Sequence, residues 1–133
     1  MSAQLKNSPI ILVVEDVEET RDGIEALLKR DGYQVEAARD EEEAAECARR
    51  KPPNLMLVSL SDLTFDVLPA VVRRICEHAD LEESVPVVIF RVEKSNEGEE
   101  VAVGRNVYLS RPDNFDQLRN FISRLLQGVS PLA

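Results

Sequence analysis

Pro9-Ile-Ile-Leu-Val-Val-Glu-Asp16 is a β-branched apolar run that stops abruptly at two acids. A strand with one wet face would alternate polar and apolar residues. An unbroken run fits a strand buried on both faces, as in a parallel sheet covered by helices. The run is also far shorter than the roughly 20 apolar residues that a membrane-spanning helix needs.

Working outward, Val17, Ile24, Leu27 and Leu28 recur at helical spacing as far as Asp31-Gly32, where the glycine can take the left-handed cap conformation. Residues 33–38 alternate as a short strand. Asp40 then opens Glu41-Glu-Glu-Ala-Ala-Glu-Cys-Ala48, with acids at the positive end of a helix and Arg49-Arg50-Lys51 at its close. Pro52-Pro53 stops that helix, and Leu55-Met-Leu-Val58 is a second buried run ending at Ser59. From about Asp66, the residues Val67, Leu68, Val71, Val72, Ile75 and Cys76 trace one helix face, and Pro86-Val-Val-Ile-Phe90 gives a further strand. Residues 93–104 are polar and weakly periodic, which predicts only a short or irregular helix. Val107-Tyr-Leu109 is the fifth strand. Phe115, Leu118, Phe121, Ile122, Leu125 and Leu126 form a final helix capped near Asp113 or Asn114.

Five strands alternating with helices predict an α/β fold, a doubly wound five-stranded parallel sheet with helices on both faces. The flavodoxin-like strand order 2-1-3-4-5 is the natural one. The expected domain covers 9–127, with short tails at 1–8 and 128–133. A chain of 133 residues with 44% hydrophobic and 31% charged residues is enough for one such core.

The net charge of -9 disfavours nucleic acid and anionic membrane surfaces as partners. Arg49-Arg50-Lys51 is the longest basic run and reads as a solvated helix end. Cys47 and Cys76 lack the spacing of a zinc or redox motif, so both are expected to be reduced, buried and inert, in a cytoplasmic protein. His78 reads as a surface helix residue.

In doubly wound sheets ligands bind beyond the carboxyl ends of the strands, at the switch point between the first and third. Glu15 and Asp16 follow the first strand, Ser59 ends the third, Arg91 follows the fourth, and Arg111 with Pro112 follows the fifth. Two acids at such a crevice suit a hard divalent cation such as magnesium. The competing reading is that Asp16 only caps the first helix.

Ile11-Leu-Val-Val-Glu-Asp16, Gly32-Tyr33, Pro53-Asn-Leu-Met-Leu-Val-Ser59, Pro86-Val-Val-Ile89 and Tyr108-Leu-Ser-Arg-Pro112 together resemble, in order, the signatures of the response regulator receiver domain. The resemblance implies a module of two-component, phosphorelay signalling and not an enzyme. In that family the acidic pair helps to hold magnesium, and an aspartate ending the third strand accepts phosphate from a histidine kinase. A small hydroxyl residue ends the fourth strand and a lysine precedes a proline after the fifth. Glu15 and Asp16 match the acids, Pro112 the proline and Tyr108 the switch aromatic. Ser59, Arg91 and Arg111 depart from the acceptor, the hydroxyl residue and the lysine.

A serine hydroxyl is not ionised at neutral pH and no histidine adjoins it in sequence, so the resemblance implies a pseudo-receiver that takes no phosphate on Ser59. Asp62 or Asp66 in the following loop is the alternative acceptor. No cofactor is expected, and any magnesium at Glu15 and Asp16 would be held weakly. Arg91 is expected to fill the pocket and pair with Glu15 or Asp16, the alternative being a side chain swung into solvent. Tyr108 is expected to keep one fixed position. The implied partners are a histidine kinase or downstream effector, or a second copy of the chain. They would dock on the surface formed by the expected helix over 93–104, the fifth strand and the last helix. A flavin or nucleotide binder of the same fold is a third reading, weakened because no glycine-rich loop follows the first strand.

Overall fold

The computed structural model describes residues 8–127 except 65, 92–98, 105, 112 and 113, with 99–101, 103, 104 and 111 described by their backbone alone. Its elements in chain order are β1 (Ile10–Glu15), α1 (Glu18–Arg30), β2 (Gln34–Ala38), α2 (Glu41–Arg50), β3 (Leu55–Ser59), α3 (Leu68–Ala79), β4 (Val87–Phe90), β5 (Glu99–Gly104), β6 (Val107–Arg111) and α4 (Phe115–Leu126). The five expected strands lie parallel in the expected order, β2-β1-β3-β4-β6.

One element differs. Where a short or irregular helix was expected over 93–104, residues 99–104 form a sixth strand that pairs antiparallel with β6 and sits at the edge of the sheet. In Glu99-Glu-Val-Ala-Val-Gly104 the β-branched Val101 and Val103, two residues apart, favour a pleated strand over a helix. Asn106 turns the chain back with a left-handed φ of 59°, a conformation that asparagine tolerates and that hairpin turns demand. The rest of the expected helix, residues 93–98, lies outside the described residues.

The unbroken apolar runs are buried as their patterns require. Ile11 to Val14, Leu55 to Val58 and Val87 to Phe90 are all shielded from water. Alternate residues feed two cores. Ile11, Val13, Leu55, Leu57 and Val88 meet Ile24 and Leu28 of α1 and Leu118, Phe121 and Ile122 of α4. On the other face, Leu12, Val14, Met56 and Val58 meet the small residues of α2 and the stripe Leu68, Val71, Val72 and Ile75 of α3. Among the described residues only α2 and α3 cover this second face.

The helix ends follow the expected chemistry. Asp40 caps α2 by accepting the Glu43 N–H at 2.8 Å, and Glu43 reaches back to the Arg39 N–H at 2.8 Å. Asn114, one of the two expected caps, accepts the Gln117 N–H at 3.1 Å; Asp113 lies outside the described residues. Two bidentate arginine pairs tie elements across the surface. Arg74 of α3 grips Glu41 of α2, and Arg119 of α4 grips Asp31 after α1. Hydrogen bonding from these guanidiniums holds both carboxyls below their usual range. Cys47 is buried as expected. Cys76 is only half-buried, because the face of α3 that carries it is left partly open.

Phe121 joins α4 to the sheet with no exposed surface. Phe121→Ala should therefore cost about 3–5 kcal/mol, measured as the loss of unfolding free energy in urea. A loss under about 1 kcal/mol would show that this packing does not hold α4.

Candidate functional site at the carboxyl edge of the sheet

β1 and β3 lie side by side with Val14 next to Val58 and Glu15 next to Ser59. Both strands stop at the same edge. The apolar register therefore delivers one acid and one hydroxyl to the switch point, as the order of the strands requires.

Glu15 is only 2% exposed. Its Oε2 accepts the Val17 N–H at 3.1 Å, while Oε1 is buried without a hydrogen-bond partner. Burial raises the carboxyl above its ordinary value; the Val17 N–H and the nearby Ser59 hydroxyl pull against that, and the charge of Asp16 adds to it. The Glu15 carbonyl in turn accepts from Arg21 Nη1 at 2.8 Å, which ties the first turn of α1 to the strand end.

Asp16 has a different task from the helix cap considered above. The cap position of α1 is Val17, with no side-chain hydrogen bond. Asp16 instead crosses to the loop after β3, where its two oxygens accept the Ser61 N–H at 2.9 Å and the Ser61 hydroxyl at 2.7 Å. Burial works against its charge, but these two bonds prevail and hold the carboxyl below its ordinary value. Ser61 was not singled out from the sequence. Its signal was a second hydroxyl two residues beyond the strand end.

Arg91 corrects a more specific expectation. Its guanidinium donates to the Leu63 carbonyl in the same loop, and among the described residues it forms no ion pair with Glu15 or Asp16. The side chain is half-buried, so it is not swung fully into solvent either. The acceptor it meets is a carbonyl four residues past Ser59, while both oxygens of Asp16 accept from Ser61. The Arg91 N–H bonds the Ser110 carbonyl at 3.1 Å, which continues the β4–β6 ladder beyond the strand.

Tyr108 packs edge-on against Phe121, with ring centroids 5.5 Å apart and planes at 89°. Its neighbour Ser110 is wholly buried, with a hydroxyl that has no hydrogen-bond partner. Arg111 ends β6 and pairs in register with Glu99, but its side chain, like Pro112, lies outside the described residues. Asp62 and Asp66 are both exposed in the loop after β3, and Asp66 accepts from the Thr64 hydroxyl.

Magnesium takes six oxygen ligands in near-octahedral array, with carboxylates supplying the protein share. Here both oxygens of Asp16 are engaged by Ser61, and the open oxygen of Glu15 is buried. Among the described residues no group of three or more His, Cys, Asp or Glu gathers to hold a metal. This donor set does not fit a tight magnesium centre.

The topology and the edge geometry together define a receiver-type module. The model of the response regulator receiver domain matches residues 11–123, and the chain belongs to that family. Among solved structures, the chain is similar to the receiver domain of a signal transduction histidine kinase from Syntrophus aciditrophicus, at 21% identity, 93% and 94% coverage of the two chains and a TM-score of 0.65. It is similar to a chemotaxis protein of Vibrio cholerae at 18% identity, 89% and 98% coverage and a TM-score of 0.65. It is also similar to the receiver domain of a sensor histidine kinase from Pseudomonas aeruginosa, which has a magnesium ion coordinated in its active-site cleft, at 24% identity, 90% and 98% coverage and a TM-score of 0.63. Comparison with curated proteins gives no match.

The buried Glu15 yields a pH test. Its folded pKa is raised, so the charged form costs stability above the folded pKa, and that cost vanishes below the ordinary carboxyl value, where Glu15 is neutral folded or unfolded. Relative to the natural protein, Glu15→Gln should gain more stability at neutral pH than in acid near the ordinary carboxyl pKa. Urea midpoints of both proteins across that range would check this, and a gain that grew toward acid would refute it.

Proposed function

We propose that this receiver domain of two-component signalling acts as a phosphate-independent protein-interaction module, a pseudo-receiver with no enzymatic activity of its own. The observation that carries the reading is Ser59 in register with the buried Glu15 at the end of β3, the position that the sequence resemblance matches to the family's phosphoacceptor. A neutral alcohol needs a base to become a nucleophile. His78, the chain's single histidine, is exposed on α3 and does not adjoin Ser59 in sequence.

Two further features support the same reading. Asp16 and Arg91 hold the loop after β3 from opposite sides, through Ser61 and Leu63, so the edge is already tied without a phosphoryl group. Tyr108 is seated against Phe121, and nothing in this arrangement pulls it elsewhere. The module is cytoplasmic in this reading, and no described helix is long and apolar enough to cross a membrane. Its partner is a histidine kinase or a downstream effector. The docking face expected from sequence is revised, because a strand, β5, stands where part of a helix was expected beside β6 and α4.

The test is intact-mass spectrometry after incubation with acetyl phosphate and magnesium. The natural protein should gain no phosphoryl group, whereas uptake by Ser59→Asp would mark Ser59 as the block. A phosphoryl adduct on the natural chain would overturn the proposal and direct peptide mapping to Asp62, Asp66 and the acidic pair.

A further inference from the structure

The strand β5 has a second consequence. A parallel sheet is stable in water when helices cover both faces, yet on the α2–α3 face the described helices end at α3. Beyond it, Val107 and Leu109 of β6 are left half-buried. A groove of about 700 Å³ runs between α3 and the sheet. Its floor is apolar, formed by Val72, Cys76, Leu81, Val85, Val87 and Val107. Among the described residues its rim carries the exposed acids Glu77, Asp80, Glu82 and Glu83 and one base, Arg73. Glu77, Asp80, Glu82 and Arg73 form no ion pair among the described residues.

We propose that this groove docks an amphipathic helix of a partner protein, which lays an apolar stripe on the floor and points Lys or Arg side chains at Glu77, Asp80 and Glu82. The inference rests on the interaction-module reading and names the surface and the partner's chemistry. A helix is the fitting occupant because an amphipathic helix lays one apolar face into a groove of this kind while its polar face meets the charged rim. The excess of acid on the rim selects a basic partner. A second copy of the chain is disfavoured by the same electrostatics, since each copy carries a net charge of -9. The outer edge of β5 offers a poorer surface. A register shift between Ala102 and Gly104 interrupts its ladder, as irregularities at sheet edges do.

The test uses the full chain, labelled with nitrogen-15, and two synthetic helical peptides with the same leucine stripe, one with lysine and one with glutamate on its polar face. The lysine peptide should shift the amides of Val72, Cys76, Val85 and Val107, and the glutamate peptide should not. The double variant Glu77→Lys, Glu82→Lys should keep the natural spectrum elsewhere and weaken the lysine peptide by roughly tenfold. Equal binding of both peptides, shifts confined to other faces, or no binding would overturn the proposal. So would a concentration-dependent dimer with its interface in the groove. A groove that stays empty on a protein that also takes no phosphate removes the groove alone. Phosphate uptake by the natural chain removes the underlying reading.

Discussion

In the parallel pairing of β1 with β3, two apolar runs lie side by side in the middle of the sheet, and each is shut off from water on both faces. Their backbone groups have no solvent to fall back on, so the ladder must be complete and its register cannot slip without moving every side chain to the wrong face. That constraint fixes more than the core. The last rung of the same ladder is Glu15 beside Ser59, so the position of the site is a by-product of burying Ile11 to Val14 against Leu55 to Val58. The helices follow: α1 and α4 take one set of alternate residues, α2 and α3 the other.

At the edge, three charged side chains solve different problems. Glu15 is a carboxyl whose burial is incompletely compensated, since Val17 satisfies one oxygen and nothing satisfies the other. Burial of that kind raises its carboxyl above the ordinary value. Asp16 keeps its charge because Ser61 gives it two hydrogen bonds. Arg91 gives its guanidinium to a backbone carbonyl, that of Leu63 in the loop after β3. Asp16 and Arg91 converge on the loop between β3 and α3 from β1 and β4, and between them they restrain it.

Most of the fold was legible in the sequence because the central strands announce themselves by continuous burial, and the capped helices by Asp40, Asn114 and a regular apolar stripe. The edge of the sheet was not. Residues 99–104 are a strand whose alternation is short and diluted by two glutamates, a pattern in which the periods of 2 and 3.6 compete on few residues. The turn at Asn106 was the overlooked clue. For the site, residue identity and strand order placed Glu15, Asp16, Ser59 and Arg91 at one edge. Which atoms touch was decided by the loop, where Ser61 and the Leu63 carbonyl supply partners that no spacing rule reveals.

The edge strand β5 sets the surface of this side of the sheet apart from its core. Adding β5 satisfies one side of the β6 backbone and extends the sheet, but a strand added in the plane covers no face. Among the described residues α3 is the last helix on this face, and beside it Val107 and Leu109 of β6 and Cys76 of α3 itself stay half-buried. Hydrophobic surface left open in this way weakens the domain, at about 25 cal/mol for each Å². The same surface gains that amount again when something covers it. A covering layer thus gains from burying this face, and the acids along α3 and the following loop bias its charge.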